Sequence, residues 1–282
     1  MNNTLTARVK TMANWTLEDI NWSSFDATKV TPELLPLIQT AALVEYNGKD
    51  YARYLCEVFA GDAEAETMIR KWADEEVQHG AALAKWAEMA NPDYHFGESF
   101  AVFTTGYQLP QHVSASVRGS QAGEMLARCV VEAGTSSYYT AISEYTDEPV
   151  LKQICKKIAA DEFRHYKLFY DYFQHYVKKD SIGMVKRLQI VIGRVMESED
   201  DELAYAFYAA CHHKKGETYN RKTCTQDYMF HAFRIYRKMH IQKMTSMIFK
   251  AVGLTPHSRL NQWVAVILWQ SLQWKSRRVK KA

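Results

Sequence analysis

The chain has 282 residues, 47% of them hydrophobic, and a formal net charge of +3. That length suits one large core, and so mild a charge gives no reason to expect nucleic acid as a partner. Five scattered cysteines (Cys56, Cys129, Cys155, Cys211, Cys224) with no CxxC pair fit thiols in a reducing compartment better than a disulfide framework.

In chain order, residues 1–30 are mixed and polar and are expected to form an N-terminal arm, packed on the body, that carries Trp15 and Trp22. Their first stretch lacks the apolar segment of a secretory signal. Thr31-Pro32-Glu33 combines an N-cap hydroxyl, a first-turn proline and an early acid, so a long helix is expected from there to about Phe59, broken at Gly61-Asp62. A second covers residues 63–90 and stops at Asn91-Pro92. Residues 91–118, with Gly97, Gly106 and Pro110, are expected to be a crossover with short helical pieces. A third and a fourth long helix follow over 119–146 and 148–179, separated by Asp147-Glu148-Pro149.

Four further helices are expected over 181–198, 200–213, 225–252 and 256–274. The predicted fold is all-α: a ferritin-like four-helix bundle over residues 31–180, made of two antiparallel hairpins and one long crossover. Residues 181–282 add C-terminal helices to the same domain and end in a basic tail, 275–282. The apolar run Trp263–Trp269 is far too short to span a bilayer, so no transmembrane segment and a cytoplasmic location are expected.

Two Glu-x-x-His tetrads stand in this frame, Glu76-Val77-Gln78-His79 and Glu162-Phe163-Arg164-His165. Each follows a further glutamate at nearly the same distance, 31 residues from Glu45 to Glu76 and 30 from Glu132 to Glu162. Residues i and i+3 share a helix face, so each tetrad can aim a carboxylate and an imidazole at one point. One glutamate from each of two helices plus Glu-x-x-His from each of two others is the ligand set of carboxylate-bridged di-iron or di-manganese bundles.

The surroundings favour this over six solvated side chains. Glu45 follows the apolar run Ala41-Ala42-Leu43-Val44, and Glu132 follows Cys129-Val130-Val131; a buried carboxylate is costly unless protonated, paired or metal-bound. Asp161 is placed to accept a hydrogen bond from a metal-bound histidine. Glu75 is expected to be a solvated acid. His212 and His213, beside Lys214-Lys215, are expected at the surface, and His231 and His240 have no matching acid pattern.

These motifs resemble those of the soluble acyl-carrier-protein desaturases. Leu151–His165 resembles their fourth-helix motif, and Trp72–Gly80 their second, with tryptophan, paired acids, histidine and glycine in register. Glu132-Ala133-Gly134-Thr135 resembles their third-helix glutamate followed by threonine. The likeness covers about residues 31–180.

The resemblance implies two iron ions bridged by Glu76 and Glu162, with Glu45 and His79 on one and Glu132 and His165 on the other. It places Thr135 beside the oxygen-binding side. It also joins Asp161 and an N-terminal tryptophan, for which Trp22 is the candidate and Trp15 the alternative, in an electron-entry network. The implied activity is dioxygen-dependent insertion of a double bond into an acyl chain held as a thioester on acyl carrier protein or another carrier. With neither a CxxC pair nor a dinucleotide motif in the chain, a separate ferredoxin-type donor is expected. A homodimer is implied, and Lys178-Lys179, Lys214-Lys215 and the tail are candidate carrier-docking patches. A di-iron hydroxylase acting on another molecule, and a ferritin- or rubrerythrin-like iron or peroxide handler, are the alternatives.

Overall fold

A computed structural model describes residues 15–109, 116–197 and 201–279. The start of the predicted arm, Pro110 with the rest of 110–115, and residues 280–282 of the basic tail lie outside the described residues, as do the side chains of 276–279. The described chain contains no strand. Its α-helices are α1 (Leu35–Tyr46), α2 (Gly48–Val58), α3 (Ala63–Ala90), α4 (Phe96–Gly106), α5 (Gln121–Tyr145), α6 (Pro149–Asp180), α7 (Met184–Met196), α8 (Asp201–Cys211), α9 (Arg221–Ile235), α10 (Lys238–Val252) and α11 (Arg259–Val279).

Side-chain caps set several boundaries. The Asp62 carboxylate accepts from the Ala65 N–H and starts α3, and the Ser120 hydroxyl accepts from Gly123 and starts α5. Glu148 is fully buried at the start of α6, where it accepts from the N–H groups of Val150 and Leu151 and, at 2.7 Å, from Trp86 Nε1 on α3. Caps of this kind stabilise a helix by about 1 kcal/mol each, and Glu148 also ties two helices together.

Two expected helices are broken. The one predicted to run unbroken to Phe59 divides at Asn47, whose backbone (φ −80°, ψ 8°) leaves the helical region between α1 and α2. The one predicted over 225–252 divides at Tyr236-Arg237. Both residues are extended there, and His240 Nδ1 accepts from the Arg237 N–H to start α10 afresh. Thr31 stands before a short 3-10 turn, Pro32–Leu34, and its hydroxyl makes no capping bond. The turn leads directly into α1.

Helices α1 and α2 lie along α3, α5 lies along α6, and the two groups meet where α3 packs on α6. Two apolar clusters form above and below that meeting. One gathers Met68, Trp72, Met125, Phe169 and Phe173; the other gathers Leu37, Leu83, Trp86, Ile142, Leu151 and Ile158. Burying each such side chain contributes about 1.5–3 kcal/mol, and together the clusters keep water from the level between them. Helix α8 covers α1 and α4, and α10 lies against α5. The arm winds over α6 as short 3-10 turns, buries Trp15 and Ile20, and is pinned where the Asn21 N–H donates to Gln153 Oε1 at 2.9 Å. No helix among the described residues is long and apolar enough to cross a membrane.

Candidate metal centre

The six predicted ligands meet at the level between the two clusters, and none is more than 8% exposed. Two groups form, Glu45, Glu76, His79 and Glu162 in one and Glu76, Glu132, Glu162 and His165 in the other. Within each group one potential ligand atom per residue lies within 4.8 Å of the others. Metal–ligand bonds of about 2.0–2.3 Å place ligand atoms no farther apart than this.

Glu76 and Glu162 belong to both groups. Glu162 Oε1 lies 3.2 Å from His79 Nδ1 while its Oε2 lies 4.0 Å from His165 Nδ1. Glu76 does the reverse, with Oε1 3.0 Å from His165 Nδ1 and Oε2 3.9 Å from His79 Nδ1. Each of these carboxylates therefore turns one oxygen to each half of the centre. Glu45 Oε2 lies 3.5 Å from His79 Nδ1, and Glu132 Oε2 lies 3.6 Å from His165 Nδ1.

Close helix approach produces this geometry. A Cβ on Gly80 would lie 2.4 Å from the backbone nitrogen of Tyr46, and one on Gly48 would lie 2.7 Å from Glu76 Cβ. Only glycine at these positions lets α1 and α2 close on α3 beside Glu45, Glu76 and His79. The break at Asn47 occurs at the same level.

The donor set fits a pair of cations. Glu45 Oε2, Glu76 Oε1, Glu132 Oε2, Glu162 Oε1 and the Nδ1 atoms of both histidines are buried without a hydrogen-bond partner. An orphaned buried polar atom is costly, and six converging on one level are explained together by metal ions. Burial, with Glu162 and Glu45 nearby, lifts Glu76 well above the usual carboxylate range, and burial with Glu162 pushes Glu132 up to about 8. Burial also pushes Glu45 upward, but His79, Glu76 and the Tyr139 hydroxyl beside it outweigh this and hold it low. For His79 and His165 burial favours the neutral ring, yet the surrounding carboxylates prevail and lift both well above normal. The raised groups favour protons at the level where cations would be held.

Behind the histidines the neighbours cross over. His79 Nε2 meets Asp161 Oδ2 at 3.0 Å, although Asp161 adjoins the second tetrad. His165 Nε2 meets Glu75 Oε2 at 2.8 Å, although Glu75 adjoins the first. Each carboxylate fixes the tautomer that leaves Nδ1 free to face the centre. Arg164 donates to both, to Asp161 Oδ1 through Nη1 and to Glu75 Oε2 at 3.4 Å through Nη2. Burial raises Asp161, and His79, Arg164 and Trp15 outweigh it to leave the carboxyl below its usual value.

Several expectations are corrected here. Glu75 is not solvated but 4% exposed and bonded to His165. Its position immediately before the tetrad, equivalent to that of Asp161, was the available signal. Trp22 donates its indole N–H to the Leu17 carbonyl, whereas Trp15 Nε1 donates to Asp161 Oδ2 at 2.7 Å and stacks on His79 with ring centroids 6.0 Å apart. His212 is held by Glu217 and Asp227, with its side chain 14% exposed. His240 has an acid after all, Glu144, 3.0 Å from its Nε2. Thr135 Oγ1 donates to Glu162 Oε2 at 2.6 Å. Tyr139, which nothing in the sequence singled out, donates its hydroxyl to Glu45 Oε1 at 2.5 Å.

A cavity of about 80 Å³ opens onto Glu45, Glu76, Glu132 and Glu162. Thr135, Tyr51, Trp72, Arg128, Arg194 and Glu202 also line it. Among the candidate docking patches, Lys179 donates to Gln121 and Lys214 pairs with Glu98 at 3.1 Å, so both are engaged within the chain.

Neither a family model nor a curated protein matches this chain.

Proposed function

We propose that this protein is a di-iron, dioxygen-dependent oxidoreductase whose ligand helices form a ferritin-like bundle. The observation that carries the reading is the pair of half-sites sharing Glu76 and Glu162 and opening on one side to a cavity. Two ferrous ions would be held by the six ligands, and together they supply two-electron reductive activation of dioxygen.

The chain's own residues supply the rest. Asp161 and Glu75 hold the two imidazoles in orientation, and Thr135 keeps a hydroxyl proton on Glu162 Oε2 at the cavity wall. The hydrogen-bonded line Trp15–Asp161–His79 joins the arm to the centre and is the proposed route for electrons from an external ferredoxin-type donor. The apolar clusters exclude water on the remaining sides.

Desaturation of a carrier-bound acyl chain by a homodimer is the activity the motif resemblance supports. The cavity favours the other oxygen-dependent reading, oxidation or hydroxylation of a compact molecule. Its volume suits one compact molecule, not an extended acyl chain, and besides the four ligand glutamates two arginines and Glu202 stand on its wall.

The test is a single turnover of reduced, iron-loaded protein with acyl-carrier-protein thioesters and with small organic acids, followed by mass spectrometry. Loss of two hydrogens from the acyl chain establishes desaturation, and gain of one oxygen atom by a small acid establishes hydroxylation. Unchanged substrates with two irons bound would move the reading to iron or peroxide handling. Glu162→Ala is expected to lose at least one metal per chain; retention of two would overturn the ligand assignment.

A further inference from the structure

Arg128 stands on α5 one turn before Glu132 and two turns before Thr135, on the wall of the cavity beside the centre. The rise of the helix separates it from Glu132 by roughly 6 Å along the axis and from Thr135 by roughly 10 Å. Its guanidinium lies over the rings of Tyr51 at 5.5 Å and Trp72 at 5.8 Å, and both rings also line the cavity. Its Nε is buried without a hydrogen-bond partner, and among the described residues Arg128 enters no ion pair.

The neighbouring acids are committed elsewhere. Glu197 is held by Arg118 and lies 3.9 Å from Arg194, and Glu132 faces the centre. On the reading above, four carboxylates, two neutral imidazoles and two divalent ions carry no net charge. The loaded centre therefore does not neutralise Arg128, and a half-buried guanidinium beside a cavity is left to be balanced by a ligand.

We propose that Arg128 anchors a compact organic carboxylate in this cavity and holds its body between Tyr51, Trp72 and Thr135, over the metal centre. The guanidinium fork matches the two oxygens of a carboxylate. A monoanion fits better than a phosphate dianion, because Arg194 already shares Glu197 and a second ligand charge would go uncompensated. Burial lifts the Glu202 carboxyl to about 8, so at neutral pH the acid on the same wall is mostly protonated and does not repel an anion. The cavity's small volume, about 80 Å³, limits the ligand to a compact body, one ring or a short chain. Val44 and Val131 add apolar wall for it.

This inference rests on the di-metal reading, and the test separates the two. Protein loaded with redox-inert zinc is titrated with benzoate and with its neutral isostere benzamide, followed by calorimetry and by the fluorescence of Trp72 and its neighbours. Metal content is counted on the same samples for wild type, Arg128→Gln and Arg128→Lys. The expected result is binding of benzoate in preference to benzamide. Arg128→Gln should weaken benzoate by about tenfold to hundredfold with two zinc ions retained, and Arg128→Lys should restore part of the affinity. Equal affinity for benzoate and benzamide, unchanged affinity in Arg128→Gln, or no benzoate binding at millimolar concentration would overturn the proposal. Direct ligation of zinc by benzoate predicts the second of these outcomes. Fewer than two zinc ions in the wild type would count against the di-metal reading, and the dependence of benzoate binding on Arg128 is judged separately on the same samples.

Discussion

Glu75 and Asp161 act on the far half of the centre, and this crossing makes a prediction sharper than loss of a carboxylate would otherwise allow. Removing a carboxylate that orients a metal-bound histidine typically costs tenfold to a hundredfold in metal affinity. Glu75→Ala is therefore expected to weaken, by about that factor, the site of His165 and Glu132, while Asp161→Ala weakens the site of His79 and Glu45. Stepwise metal titration with a spectroscopic probe of each site distinguishes the two patterns, and a uniform loss in both variants would contradict them. Glu202 carries a different expectation. Burial raises its folded carboxyl to about 8, against an ordinary value of 4.5 in the unfolded chain. Between those two values the folded protein keeps a proton that the unfolded chain has released, so stability falls as pH rises through this window. Glu202→Gln should remove that fall, with a gain over the wild type that grows from about pH 5 to pH 8 and reaches a few kcal/mol. Denaturant melts at the two pH values measure it, and an equal difference at both would exclude the burial argument.

Helix α3 can approach α1 only because residue 80 has no side chain. Gly80 closes the Trp72–Gly80 motif, and the reason for a glycine there is its contact with the backbone of Tyr46, immediately after Glu45. Gly80→Ala would force backbone apart at a packed contact. Such overpacking typically costs about 1–3 kcal/mol, and it should also move Glu45 from His79. The expected outcome is a lower melting temperature together with loss of the metal that Glu45 would hold. A variant melting as the wild type and binding two metals would show that the helices yield without cost. The two broken helices are also instructive. The helix expected to run to Phe59 is interrupted in sequence as well as in structure, because Asn47-Gly48-Lys49-Asp50 breaks the apolar spacing and Asn-Gly is a turn-forming pair. What the sequence does not carry is the partner that needs the glycine there, Glu76 on α3, which leaves no room for a side chain at residue 48.

For the molecule as a whole, metal loading and protonation are opposed. Glu76 and Glu132 are held protonated by burial and by their acidic neighbours, and both must ionise to bind a cation. Metal binding at pH 7 is therefore expected to release protons, and affinity should fall as pH drops below about 8, where Glu132 regains its proton. Calorimetry in buffers of different ionisation enthalpy counts the protons, and zero release would contradict the assignment. Because ions at this site would bind only the assembled helices, loading should also stabilise the fold, by about 4 kcal/mol per site at a thousandfold excess over Kd.

The sequence alone was enough to determine the helical class, the extent of α3, α5 and α6 to within about two residues, and the six side chains that meet at the centre. Those features depend on local periodicity, on capping residues and on a ligand spacing that occurs twice along the chain, all of which are present before the chain folds. The tertiary structure decided what depends on neighbours across helices. It selected Trp15 over Trp22, buried Glu75 behind the other tetrad's histidine, set Tyr139 against Glu45 and left Arg128 unpaired beside the cavity. The first three are contacts between residues distant in the chain, and the fourth is a side chain that finds no ion-pair partner among the described residues. Which carboxylate meets which imidazole is fixed by the packing of helix on helix, a relation that no stretch of sequence carries alone.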